Sequence, residues 1–259
     1  MSRAMLRLQW LDYRAMLRER KTWLVIALLA YATLAMPAVL AKPPAHVQQA
    51  IRTWFGGGGA FVIFQFVWID LAMNKMISFI PVVIASGLVL RERDTELLPL
   101  LASKPLSIPR YFVLRTVSAC AVVGTLYAGT QLLGAGYFAL RVPGFRAGTF
   151  LAAMTPHLFA ALFATALAAA IGAWVRHRGA SVLIGLAALG TLVGLSLIGF
   201  YQPAWRAWTM LNPITLGAIA LGDLDHLSVA LLGPPIFALI LLTAATIAVG
   251  AVGARGIEP

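Results

Sequence analysis

Few residues in this chain have chemical potential, and their spacing narrows what they could do. Asp70 and Lys75 are a nearby acid and base within a long apolar stretch. Ionisable groups inside a membrane span mark ion or substrate pathways, so Asp70 is a candidate for a substrate path. Alternatively, both sit at the outer edge of a span, paired with each other or with water. Thr130 and Gln131 lie mid-way along another apolar segment and could line the same path. More often such groups make an interhelical hydrogen bond, worth about 0.6–2 kcal/mol. Asp223, Asp225 and His226 form a metal-like cluster. A solvated loop explains them equally well, because a metal site needs several convergent ligands. The histidines are His46, His157, His177 and His226, and no pair has HExxH spacing. There is no Walker A loop and no GxSxG elbow. Asp223 follows a glycine, but no second membrane-embedded aspartate stands at comparable depth to form a protease dyad. No catalytic residue and no metal ligand set is assigned, and the chain is not expected to be an enzyme.

Whatever these residues do, membrane helices must position them. Of 259 residues, 61% are apolar and 11% charged, against roughly 25% charged in an average soluble domain. Lipid must be the solvent for most of this surface. The expected fold class is all-α integral membrane, a single transmembrane domain over 1–259 with six transmembrane helices of ~20 residues each. A second soluble domain has no room. The single cysteine, Cys120, excludes a disulfide within the chain.

Apolar runs predict spans at about 22–41, 69–90, 116–140, 149–175, 179–202 and 229–252. The first resembles a secretory signal at Val39-Leu40-Ala41. Its basic flank is too long, however, and its apolar run exceeds the ~7–15 residues of a signal core, so an uncleaved anchor is expected. The stretch 56–90 is longer than one span needs. The span is placed at 69–90, with Asp70, Asn74 and Lys75 near its outer end. Residues 56–68 then form an outer interfacial or partly inserted segment, hinged at the glycine run 56–59. The stretch 203–228, with Trp205, Trp208 and Leu211-Asn212-Pro213, suits an outer re-entrant or interfacial segment, where tryptophan is favoured.

Residues 1–21 read as an amphipathic helix. Arg3, Arg7, Arg14, Arg18 and Lys21 fall within about 60° of one another. Met5, Leu6, Trp10, Tyr13, Met16 and Leu17 gather on another side, with Arg20 intruding. Such a segment can lie on the cytoplasmic leaflet with its basic stripe toward anionic headgroups, or be a basic flank that only orients the first span. The formal charge of +11 bears on orientation, and no nucleic-acid partner is expected. With the N-terminus inside, inner segments hold 14 of the 20 Lys and Arg and outer segments 6. Both termini are therefore predicted to be cytoplasmic. Small residues recur at close-packing spacing, Gly190 and Gly194 in the fifth span and Ala160, Ala164 and Ala168 in the fourth. The spacing does not choose between packing within the chain and between chains.

The most polar stretch after the N-terminus is 91–115, RERDTELLPLLASKPLSIPRYFVLR. Charges come first, then Leu97, Leu98, Leu100 and Leu101, then a break at Lys104-Pro105. Ser107 can cap a new helix with Pro109 in its first turn. This is either a knob for a soluble partner or an ordinary loop whose leucines rest on the membrane. In Glu92, Arg93, Thr95, Glu96, Leu100, Leu101, Ser103 and Pro105 it resembles the segment between the second and third spans of ABC-2 type transporter membrane subunits. The similarity extends in layout to the basic helix before the first span, the six spans and Leu211-Asn212-Pro213 before the last. This copy departs from the commoner pattern. Asp94 replaces a frequent glycine, Pro99 stands where a helix former is usual, and the spacing from Thr95 to Pro105 is longer.

The resemblance implies the permease subunit of an ATP-driven exporter in the inner membrane. It would pair with a second permease chain, identical or related, and with separate ABC ATPase subunits. The segment with Glu92, Arg93, Asp94, Thr95, Glu96, Leu97, Leu98, Leu100, Leu101, Ser103, Lys104 and Pro105 would be the coupling helix that enters a groove on the ATPase. ATP and Mg would bind on that partner, with no cofactor in this chain. The cargo would be a lipid, lipid-linked glycan, drug, peptide or similar molecule. The alternatives are a membrane-embedded enzyme with an outer-loop site at Asp223, Asp225 and His226, and an assembly subunit with no transport of its own.

Overall fold

The structure, a computed structural model, describes residues 3–41, 59–88, 90, 107–175 and 177–256. Among these, every regular element is helical, and six helices are long and apolar enough to cross a membrane. A helix satisfies its own backbone groups, which a spanning segment must do where no water reaches.

A first helix, α1 (Arg3–Leu17), precedes the six. They are α2 (Arg20–Ala41), α3 (Ala60–Ala85), α4 (Ile108–Arg141), α5 (Ala147–Trp174), α6 (Arg178–Tyr201) and α7 (Val229–Ala254). The chain breaks between α1 and α2 at Arg18 and Glu19. There the Thr22 hydroxyl donates to the Met16 carbonyl at 2.7 Å and ties the two helices together. Between α6 and α7 lie short helical turns at Pro203–Trp205, Arg206–Thr209, Pro213–Gly217 and Ile219–Gly222. Asn212 starts the third of these. Its side chain accepts from the Ile214 N–H at 2.9 Å and donates to the Leu192 carbonyl at 2.6 Å, while Pro213 occupies the first turn, where a missing N–H costs nothing.

The helices are unequally enclosed. In their most apolar windows α3 and α5 are 67% buried, whereas α7 is 17% buried. The centre is therefore α3, α4 and α5, with α2, α6 and α7 around it. Ala160, Ala164 and Ala168 of α5 are fully buried, and a Cβ on Gly217 would stand 2.7 Å from that of Ala160. Gly190 and Gly194 of α6 have nothing within 4 Å of where a Cβ would be. One small-residue stripe is spent inside the chain and the other faces out of it.

Two helices begin earlier than the sequence predicts. The second membrane-length helix starts at Ala60 and continues through 69 without a break, so Asp70 and Asn74 lie near its middle instead of its end. Polar residues mark an interface only when water is their partner. Asn74 instead meets His157 of α5. α4 starts at Ile108, not near 116, and its 34 residues extend ~51 Å, more than the ~30 Å hydrocarbon core requires. Ser107 stands at its N-cap and Pro109 in its first turn, though the Ser107 hydroxyl makes no capping bond.

Candidate functional site

α3 is not a uniform helix. Trp68–Met73 forms a π-turn between α-helical halves. π-turns inside α-helices are rare and frequent at functional sites. The helix at this point presents Gln65, Trp68, Asp70 and Asn74, all buried.

Two hydrogen-bonded chains cross from it to neighbouring helices. In the first, Trp68 Nε1 donates to Gln131 Oε1 of α4 at 3.0 Å, and Gln131 Nε2 donates to Met73 Sδ at 3.2 Å. Gln131 thus bridges both ends of the π-turn. In the second, His157 of α5 lies between Tyr127 of α4 and Asn74 of α3. The ring Nε2 is 3.0 Å from Asn74 Oδ1, and Nδ1 meets the Tyr127 hydroxyl. An amide oxygen can only accept, so Nε2 carries the proton and Nδ1 accepts from the tyrosine. A single neutral tautomer then satisfies the whole chain. The Tyr127 and His157 rings also stack, 5.6 Å between centroids. The layer beside this centre is aromatic. Phe64 and Trp68 lie against Phe138, and Phe138 against Phe145 and Phe150.

Asp70 belongs to neither chain. It is 6% exposed, and its Oδ1 has no hydrogen-bond partner. Lys75 is exposed, and among the described residues no ion pair joins the two. Gln65 gives Nε2 to Met154 Sδ at 3.6 Å and leaves its Oε1 unpaired.

Of the candidate path residues, Gln131 and Asp70 stand on and against the same π-turn. Thr130 does not join them. Its hydroxyl donates to the Leu126 carbonyl of its own helix at 2.8 Å. Trp68, Asn74, Tyr127 and His157 were not read from the sequence as parts of a site. The available signal was His157, a titratable ring inside a long apolar run, where an unpaired polar group is expensive. Asp223, Asp225 and His226 do not converge. Asp223 pairs with His226 at 3.0 Å, and Asp225 with Arg146 at 2.7 Å. Arg146 also sits over the Phe61 ring, 4.9 Å from its centroid. Among the described residues no group of three or more His, Cys, Asp or Glu could hold a metal ion.

At the end of the bundle that carries α1, buried charge ties the elements together. Asp12 of α1 pairs with Arg115 of α4, both side chains 11% exposed. Tyr13 donates to Thr125 of α4 at 3.1 Å. Lys21 donates to the Ile84 carbonyl near the end of α3 at 2.9 Å and pairs with Glu19 at 3.1 Å. α1 is therefore bound to α4, and the start of α2 to the end of α3, the two helices that flank the stretch 91–106. That stretch, with every candidate coupling residue from Glu92 to Pro105, lies outside the described residues. Compared with known proteins, the chain matches no family model and no curated sequence.

Proposed function

We propose that this chain is the permease subunit of an ATP-driven exporter of the ABC-2 type. The observation that carries the reading is the charged, leucine-bearing segment 91–105, which connects the end of α3 to the start of α4. A coupling element needs rigid flanks, because a loose connection would absorb the displacement it should transmit. The Asp12–Arg115 and Lys21–Ile84 contacts supply such anchorage. Six membrane-length helices in a chain without a nucleotide-binding loop suit a division of labour in which ATP and Mg are bound by separate ATPase subunits. The outward-facing Gly190 and Gly194 suit close approach by a second permease chain. The basic bias of segments 1–21 and 91–115 puts them, both termini and α1 on the cytoplasmic side of the inner membrane, with α1 at the lipid surface.

Native mass spectrometry in mild detergent tests this. Two copies of the chain with two ATPase subunits are expected. A stable monomer that recovers no ATPase under several gentle conditions would contradict the reading.

A further inference from the structure

We propose that Asp70 is a binding site for a small monovalent cation, a proton or a sodium ion, held at the π-turn of α3. The inference goes beyond the permease reading and stands without it.

The case rests on what the surrounding polar groups already do. Gln131 is committed to Trp68 and Met73, and His157 to Tyr127 and Asn74. These pairs hold the π-turn against α4 and α5. His157 spends both ring nitrogens on Tyr127 and Asn74, and Gln131, bonded to Trp68 and Met73, makes no hydrogen bond to Asp70 Oδ1. Asp70 Oδ1 is buried without a hydrogen bond, in the middle of a helix long and apolar enough to span a membrane. A bare carboxylate in such surroundings is costly, and intramembrane acids are kept for ions, protons or counter-charges. The residue is enclosed to 6% exposure, so bulk water does not solvate its charge. A π-turn also departs from the regular i→i−4 backbone pairing, and irregular backbone at membrane depth is a place where small cations are held.

Among the described side chains, the titratable and charged groups on the helices packed against α3 are Arg20, Lys21 and Tyr31 on α2, Arg110, Tyr111, Arg115, Cys120, Tyr127, Tyr137 and Arg141 on α4, His157 on α5 and Arg178 on α6, besides Lys75 on α3 itself. Lys75 and Tyr31 are exposed, and Tyr127 and His157 are bonded to each other. None of the described contacts neutralises Asp70 from inside.

Thermal unfolding of the purified full chain in lipid nanodiscs, followed by tryptophan fluorescence, tests the site in two arms. In one, sodium chloride replaces choline chloride at fixed pH. In the other, pH is lowered in choline chloride alone. Wild type is compared with Asp70→Asn and Asp70→Ser in both. A saturable rise in wild-type midpoint with sodium, absent from both variants, identifies a sodium site. A rise relative to both variants as pH falls, indifferent to sodium, identifies a proton site. If the variants do not fold, sodium-23 line broadening and the infrared carbonyl band of a protonated carboxyl decide on wild type alone. Curves for wild type that parallel both variants in both arms overturn the proposal. So does a wild type with neither spectroscopic signal.

Discussion

Ala160, Ala164 and Ala168 in α5 and Gly190 and Gly194 in α6 share one spacing and have opposite fates. The alanines are fully buried, and Gly217 comes against them so closely that a Cβ there would stand 2.7 Å from Ala160. The glycines meet nothing. Spacing says that a close approach is possible on that face. Position in the bundle decides whether the chain itself makes it. α5 lies at the centre, among α3, α4 and α7, and α6 at the rim. The same division separates the polar groups. Trp68, Gln131, Asn74, Tyr127 and His157 at the centre are hydrogen-bonded between helices, and the rim cluster of Asp223, Asp225 and His226 forms exposed pairs.

The contrast predicts a ranking of effects on monomer stability, measured by unfolding in mixed micelles. Asp12→Ala should be the most damaging, at about 3–5 kcal/mol, because it removes the carboxylate from a buried ion pair whose side chains are only 11% exposed. Arg115→Ala should cost a similar amount, and a double variant less than the two together. Gly217→Val comes next, at about 1–3 kcal/mol of overpacking against Ala160 and the His157 backbone. His157→Ala should cost about 1–3 kcal/mol by leaving Tyr127 and Asn74 unpaired. Arg146→Ala, which breaks an exposed pair with Asp225, should cost about 0–1 kcal/mol. Gly194→Leu should leave the monomer unchanged within error while abolishing a second-chain contact in native mass spectrometry. A Gly194→Leu variant that unfolds the monomer as Gly217→Val does would erase the distinction between centre and rim.

The helices were legible because a run of about twenty apolar residues has few other meanings. The start of α3 was not. The apolar run from 56 to 90 exceeds one span, and Asp70, Asn74 and Lys75 read as an interface when only the local sequence is in view. The surroundings of this stretch come from Gln131 against Trp68 and Met73, from His157 against Asn74, roughly sixty to ninety positions away, and from a π-turn that no residue pattern announces. Gln131 was visible as a polar residue mid-way along a span. Its partners Trp68 and Met73 were not, because both look like ordinary apolar filling. His157 has no second histidine at metal-ligand spacing. A histidine in an alanine-rich span instead raises the question of which neighbours satisfy it.

The central claim, that segment 91–105 couples an ATPase to this bundle, is tested most directly by Leu101→Asp beside Glu96→Arg, with Glu258→Ala as the control. Leu101 in an apolar contact would contribute roughly 1.5–3 kcal/mol if fully buried, and an aspartate there would bury an unpaired charge at a cost of several kcal/mol. Charge at the rim of the contact governs register more than affinity. The measurement is ATPase association, ATP turnover and export in membranes where insertion is verified. The account predicts normal insertion with ATPase association or its coupling to export lost in Leu101→Asp, and little change in the control. Unaltered association, turnover and export in both Leu101→Asp and Glu96→Arg would contradict it.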